Sequence, residues 1–207
     1  LLRGESGVGA IRNFDASDFP VRFAAELKQR PDLDQGRLKL LLTERCWEQM
    51  LAQIGDTPLP RRLGVCVGSE AARPDLVDFA RRFRSGEAPS LLELQRNSAE
   101  APASLLEELS GAQGPVSTVS TACTSSSQAI GEGVLRVRRG EVDGMIVGGV
   151  DVLVGPLMVT GFSLLGALST RNSDPAAASR PFDADRDGFV LGEGAGFLLI
   201  ESEESAK

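Results

Sequence analysis

The sequence predicts an α/β fold built on a largely parallel or mixed sheet. Short apolar runs with strand character alternate with stretches whose apolar residues recur every three or four positions. Glycines and prolines punctuate the joins between them. The chain has 207 residues and 42% hydrophobic content, which suits one domain or one large piece of one, spanning 1–207.

Residues 1–36 read as mixed and loop-like, with turn chemistry at Phe19-Pro20 and Arg30-Pro31. Leu38 to Leu51 is a helix, because Leu38, Leu41, Leu42, Cys46, Trp47, Met50 and Leu51 share one face. Leu63-Gly64-Val65-Cys66-Val67-Gly68 is a short buried strand. Asp75 to Phe83 and Pro102 to Leu109 are helices, the second ended by Gly111. A strand over 115–121 leads into a helix over 124–139, closed by Gly140 just past its end. Met145-Ile146-Val147 is a buried strand ending at Gly148-Gly149. Residues 152–168 form a short buried helix and loop, Pro175 to Pro181 a surface loop, and Phe197 to Ile200 a last strand. A further helix starts at Glu204. No tandem repeat is present in the sequence.

The net charge of −7 argues against a nucleic-acid partner, because phosphate binding needs a basic face. The pairs Arg61-Arg62, Arg81-Arg82 and Arg138-Arg139 read as solvated faces or helix ends. The three cysteines are widely spaced, which gives neither a disulfide framework nor a zinc site and suggests a reducing compartment. No apolar run spans a bilayer and no signal peptide is visible, so a cytoplasmic location is expected. The chain opens on Leu1-Leu2-Arg3-Gly4 rather than Met, and both ends are expected to be internal to a longer protein.

Cys123 is the residue most suited to chemistry. It lies between a strand and a small-residue helix, a context that presents a thiol at a helix N-terminus. There the choice is between a nucleophile and a buried structural cysteine. Ala129, Gly131 and Gly133 would let the following helix pack tightly on all sides. A thiol nucleophile needs a base or proton donor nearby, yet the chain has no histidine. Cys66, inside a strand, and Cys46, beside Trp47, read as core. Asp183-Ala184-Asp185-Arg186-Asp187-Gly188 opens like a calcium loop, but the twelfth position is Gly194 and Glu193 falls one short, so Asp–Arg pairing on a surface loop is the reading. In Gly192-Glu193-Gly194-Ala195-Gly196 the glycines precede a strand rather than a helix. Close backbone approach around a buried site therefore replaces nucleotide binding. Phe162 is either core or the wall of an apolar tunnel.

Val119-Ser120-Thr121-Ala122-Cys123-Thr124-Ser125 resembles the active-site motif of β-ketoacyl-acyl-carrier-protein synthases, condensing enzymes of the thiolase superfamily. Ala167-Leu168-Ser169-Thr170-Arg171-Asn172 resembles a second motif of that family. A third is resembled by Ser179-Arg180-Pro181-Phe182-Asp183 with Arg186-Asp187-Gly188-Phe189-Val190-Leu191-Gly192-Glu193-Gly194-Ala195-Gly196. The close resemblance covers about residues 111–202. A weaker one reaches back through Gly64–Ser69 to Phe14-Asp15 and Ser6-Gly7. It is nearer the elongating branch, type II or modular, than the initiating one.

The resemblance implies a thiolase-like layered α/β fold, of which the chain is the N-terminal half only, lacking its first strand. It places two catalytic histidines and a lysine in the absent half, so the fragment by itself is expected to be inactive. It implies that Cys123 carries the acyl chain, that Phe162 lines the acyl pocket, and that no metal or organic cofactor is used. It implies an acyl carrier protein as partner and a homodimer paired through strand Val116-Ser120. The activity implied is decarboxylative Claisen condensation with malonyl-acyl carrier protein, in fatty-acid or polyketide synthesis. The alternatives are a non-catalytic partner subunit resembling a chain-length factor, and a thiolase-type transferase that does not decarboxylate. The chain departs from the family at Gly166, where an arginine is common. It departs again at Ser69-Glu70-Ala71-Ala72, where the family has a glycine-rich loop.

Overall fold

The computed structural model describes residues 4–28, 31, 33–73 and 76–207. The expected turn at Arg30-Pro31, the start of a helix at Asp75 and the opening residues Leu1 to Arg3 lie wholly or partly outside the described residues. The chain divides into two compact units. One comprises Leu1–Asp32 with Val152–Glu193, the other Leu33–Asp151 with Gly194–Lys207.

The larger unit is built on β3 (Leu63–Gly68), β4 (Val116–Val119), β5 (Gly144–Val152) and β6 (Glu193–Glu201), ordered β4-β3-β5-β6. Strand β3 runs parallel to both β4 and β5. Every residue of β3 is buried, as is nearly every residue of β5, which is why both read as continuous apolar runs. Strand β5 is longer than the sequence suggested: it runs on through Gly148 and Gly149 instead of stopping there. Gly148 takes φ 147°, and a Cβ at that position would meet the Gly196 carbonyl, so only glycine lets β6 lie so close. Gly194, Ala195 and Gly196 therefore belong to strand β6 itself. Their own Cβ positions at Gly194 and Gly196 face open space, so the close approach expected there is a property of Gly148.

Helix α1 (Gln35–Ile54) exceeds the expected Leu38–Leu51 at both ends. Asp34 caps it by accepting from the Arg37 N–H at 2.8 Å. Leu38, Leu42, Trp47 and Met50 face the core as periodicity required, whereas Cys46 is half-buried and Leu51 exposed. Lys39 and Thr43 are buried in their stead. Helices α2 (Leu76–Ser85), α3 (Leu91–Arg96) and α4 (Ala101–Ser110) follow, and α4 packs on α1, β3 and β4. The sequence reading missed α3, a two-turn helix capped by Ser90. Helix α5 (Ser125–Arg138) packs on β3 and β4, and Gly140 follows it at φ 67° as expected.

Tight packing of α5 holds on one face only. Ala129 and Gly133 are buried, and a Cβ on Gly133 would meet Val147 and Met145. Gly131 has open space around it, and Leu135 is exposed.

In the smaller unit, β1 (Gly9–Ala10) pairs antiparallel with β2 (Phe23–Ala24), giving two short strands where only loop was expected. Phe23, Val21, Val154, Val159, Leu168 and Leu191 form its core. Helix α6 (Pro156–Leu164) is not buried as expected: Val159 alone among its residues is fully covered, and Leu164 is 83% exposed. An apolar sequence without a polar face gave no periodicity from which to read that single buried stripe.

Candidate active site

The segment carrying Cys123 leaves the sheet at Val119 and turns through a single 3₁₀ turn, Ala122–Thr124, into α5. The strand is thus shorter than the expected 115–121, because Ser120 and Thr121 leave the ladder and lead into that turn. Gly68, at the end of β3, makes this approach possible: a Cβ there would strike the backbone of Ser125 and Ser126. The first turn of α5 is thereby pressed onto the end of the central strand.

Ala122 takes φ 54°, left-handed backbone that an alanine adopts only when its surroundings impose it, at a cost on the order of 1–3 kcal/mol. Ser125 fixes it from one side. Its buried hydroxyl donates to the Ala122 carbonyl at 2.8 Å and accepts from the Thr121 N–H at 2.8 Å. Glu70 fixes it from the other. The Ser120 hydroxyl donates to Glu70 Oε1 at 2.8 Å, and the Ala122 N–H donates to the same oxygen at 3.4 Å.

Cys123 is exposed, in contrast to buried Cys66 and half-buried Cys46. Burial pushes the thiols of Cys46 and Cys66 up from their ordinary value, which keeps both protonated and unreactive at neutral pH. A strained, clamped turn delivers an exposed thiol ahead of a helix, a geometry compatible with nucleophilic attack.

Behind the turn lies a charged cluster that sequence reasoning did not find. The Lys39 ammonium, 2% exposed, donates to the Glu70 carbonyl. Burial drives its pKa down, while the charge of Asp151 opposes that shift. Arg73 stands 4.0 Å from the Glu70 carboxylate, and its own N–H is held by Gln35 Oε1 at 2.7 Å. The one sequence signal was a lysine flanked by leucines on α1, too weak to name its partners.

Phe162 belongs to the smaller unit and Cys123 to the larger. Phe162 is half-buried at the margin of its unit's core and stacks edge-on against Phe189, with centroids 5.2 Å apart. The Asp183–Asp187 loop is tied down at both ends. Asp183 pairs with Arg180 at 2.8 Å and accepts from the Asp185 N–H, while Asp187 accepts from the Ser169 hydroxyl at 2.8 Å and from the Thr170 N–H. All three arginine pairs have a member in a surface ion pair: Arg62 with Asp143, Arg81 with Asp78 and Arg139 with Glu141. A cavity of about 670 Å³ opens among α1, α2 and α3, walled by Phe79, Phe83 and Leu94 and rimmed by Arg82 and Glu93; Cys123 is not part of its lining. Among the described residues, no helix is long and apolar enough to cross a membrane.

Residues 3–206 match the family model for the β-ketoacyl synthase N-terminal domain. The chain is 35% identical over its whole length to the chloroplastic 3-oxoacyl-[acyl-carrier-protein] synthase II of Arabidopsis thaliana, covering 41% of that protein. It superposes on a β-ketoacyl synthase from Burkholderia phymatum with a TM-score of 0.81 at 31% identity, covering 99% of this chain and 54% of that one. A type II polyketide synthase acyl-carrier protein in complex with its ketosynthase bound to the hexaketide gives 0.80 at 27% identity, covering 98% and 52%. The chain spans about half the length of the curated relatives it matches. Strand, strained turn and helix thus stand in the setting that the motif around Cys123 suggested, and the chain belongs to the β-ketoacyl synthase family, within its N-terminal domain.

Proposed function

We propose that the protein is an acyltransferase that joins a cysteine-bound acyl chain to malonyl-acyl carrier protein by decarboxylative Claisen condensation. The observation that carries this reading is the exposed Cys123 behind the strained Ala122. In the first half-reaction the Cys123 thiolate attacks an acyl thioester. The oxyanion of the tetrahedral adduct is held by backbone N–H groups, that of Cys123 among them, and the carrier thiol leaves. In the second, malonyl-acyl carrier protein loses CO₂, and the resulting enolate carbon attacks the acyl-cysteine carbonyl. The new carbon–carbon bond forms as the carbon–sulfur bond breaks, which returns the Cys123 thiolate and releases the β-ketoacyl carrier protein.

Stabilising the enolate calls for donors this chain does not supply as imidazole, since it has no histidine. In this proposal they come from the further length that the relatives have. Phe162 lines the acyl pocket, and an acyl carrier protein delivers both thioesters. The relative named as a 3-oxoacyl-[acyl-carrier-protein] synthase and the polyketide acyl-carrier protein in complex with its ketosynthase support that partner class. The protein pairs with a second copy along β4, whose place at the end of the sheet order supports the reading. The presence of Cys123 counts against a non-catalytic chain-length-factor role. The direct test is intact-mass measurement of the native protein after incubation with an acyl-coenzyme A. A gain of one acyl group, absent in Cys123→Ala, is expected; an unmodified mass overturns the reading.

A further inference from the structure

The nucleophile turn is held by a side chain from a different loop. Glu70 follows β3, and one of its carboxylate oxygens takes both the Ser120 hydroxyl, at 2.8 Å, and the Ala122 N–H, at 3.4 Å. Ser120 and Ala122 lie immediately ahead of Cys123, and Ala122 is the residue under backbone strain. A carboxylate accepting from these two donors opposes relaxation of the turn, while Ser125 grips the same residue through its carbonyl.

Glu70 is itself anchored. Its carbonyl accepts from the buried Lys39 ammonium, and Arg73 flanks its second oxygen at 4.0 Å. Its side chain is only 27% exposed. The anchor comes from α1 and the loop after β3, elements that carry no part of the nucleophile's own segment, so Glu70 is held independently of the turn it clamps.

We propose that Glu70 is a positioning residue for the nucleophile, holding the Ser120–Ala122 turn so that the Cys123 sulfur meets the thioester carbonyl. The proposal rests on the reading of Cys123 as nucleophile. Because one oxygen takes both bonds, the amide of Glu70→Gln preserves the clamp, and Glu70→Ala removes it.

The test uses the native protein and hexanoyl-coenzyme A. Glu70→Ala is expected to slow the maximal rate of Cys123 acylation about tenfold, with the half-saturating thioester concentration unchanged. Glu70→Gln is expected to stay within about threefold of the wild type, and Ser120→Ala, which deletes the shorter bond from the other end, to fall between the two. Amide hydrogen exchange at Ala122 is expected to quicken in Glu70→Ala and not in Glu70→Gln. Wild-type acylation by Glu70→Ala, or equal slowing by the glutamine and alanine variants, overturns the proposal. So does unchanged exchange at Ala122. Should the wild-type protein take no acyl group while exchange still separates the variants, the nucleophile reading has failed and the clamp on the turn stands.

Discussion

Three thiols in one chain differ in what surrounds them. Cys66 is sealed in the central strand, Cys46 is half-buried on α1, and Cys123 is open at the turn. Because burial raises the first two and the thiolate is the reactive form, iodoacetamide is expected to modify Cys123 at least about tenfold faster than either. Peptide mapping after timed alkylation of the native protein checks this, and equal rates would remove Cys123 from the mechanism. Phe162 is the second residue to test. Phe162→Ala opens an apolar wall and is expected to move acyl-chain preference towards longer chains by roughly tenfold, the scale one or two methylenes of pocket discrimination supply. A chain-length profile identical to the wild type would return Phe162 to plain core, where its edge-on contact with Phe189 already gives it a structural role. Cys123 is singled out in the sequence by its motif, whereas Phe162 stands between core and tunnel wall until the family resemblance suggests a pocket. Glu70 was visible only as a departure from a glycine-rich pattern, with nothing to say what its carboxylate does.

Strands and helices differ in how plainly the sequence announces them. The six apolar residues of β3 were read without error, because a fully buried parallel strand has no polar interruption. Strand β5 was cut short at its glycines, which are strand breakers by composition but here admit the neighbouring strand. Helix α3 was missed because six residues carry too little periodicity to register. Strand β4 ends the sheet, with its inner side bonded to β3 and its outer side free of strand partners among the described residues. Such an edge either invites pairing or must be blocked, and Val116 to Val119 carries no charge or proline to block it. Sedimentation equilibrium of the native protein is therefore expected to report a dimer at micromolar concentration, and a monomer would count against pairing along β4.

At the scale of the whole chain, large apolar side chains stand in water in both units. Phe83 is 79% and Phe79 59% exposed in the larger unit, and Leu165 is 76% exposed in the smaller. Helix α5 keeps one open face, with Leu135 uncovered. Exposed apolar patches of this kind belong against other protein surface. The 207-residue chain expressed by itself is expected to bind a hydrophobic dye and to melt broadly, and a sharp cooperative transition without dye binding would contradict that.

The sequence by itself determined the α/β alternation, the motif that singles out Cys123, and the absence of any histidine to serve it. Each of these is a local property, carried by periodicity, by a short motif or by a count. Only the tertiary structure decided that Lys39 is buried, that Glu70 meets the turn ahead of Cys123, and that Gly148 rather than Gly194 or Gly196 marks the close approach of two backbones. Ser120 and Glu70 are 50 residues apart in the chain. A hydrogen bond between side chains so distant leaves no period or spacing in the sequence, and exists only because β3 and β4 lie side by side and end together.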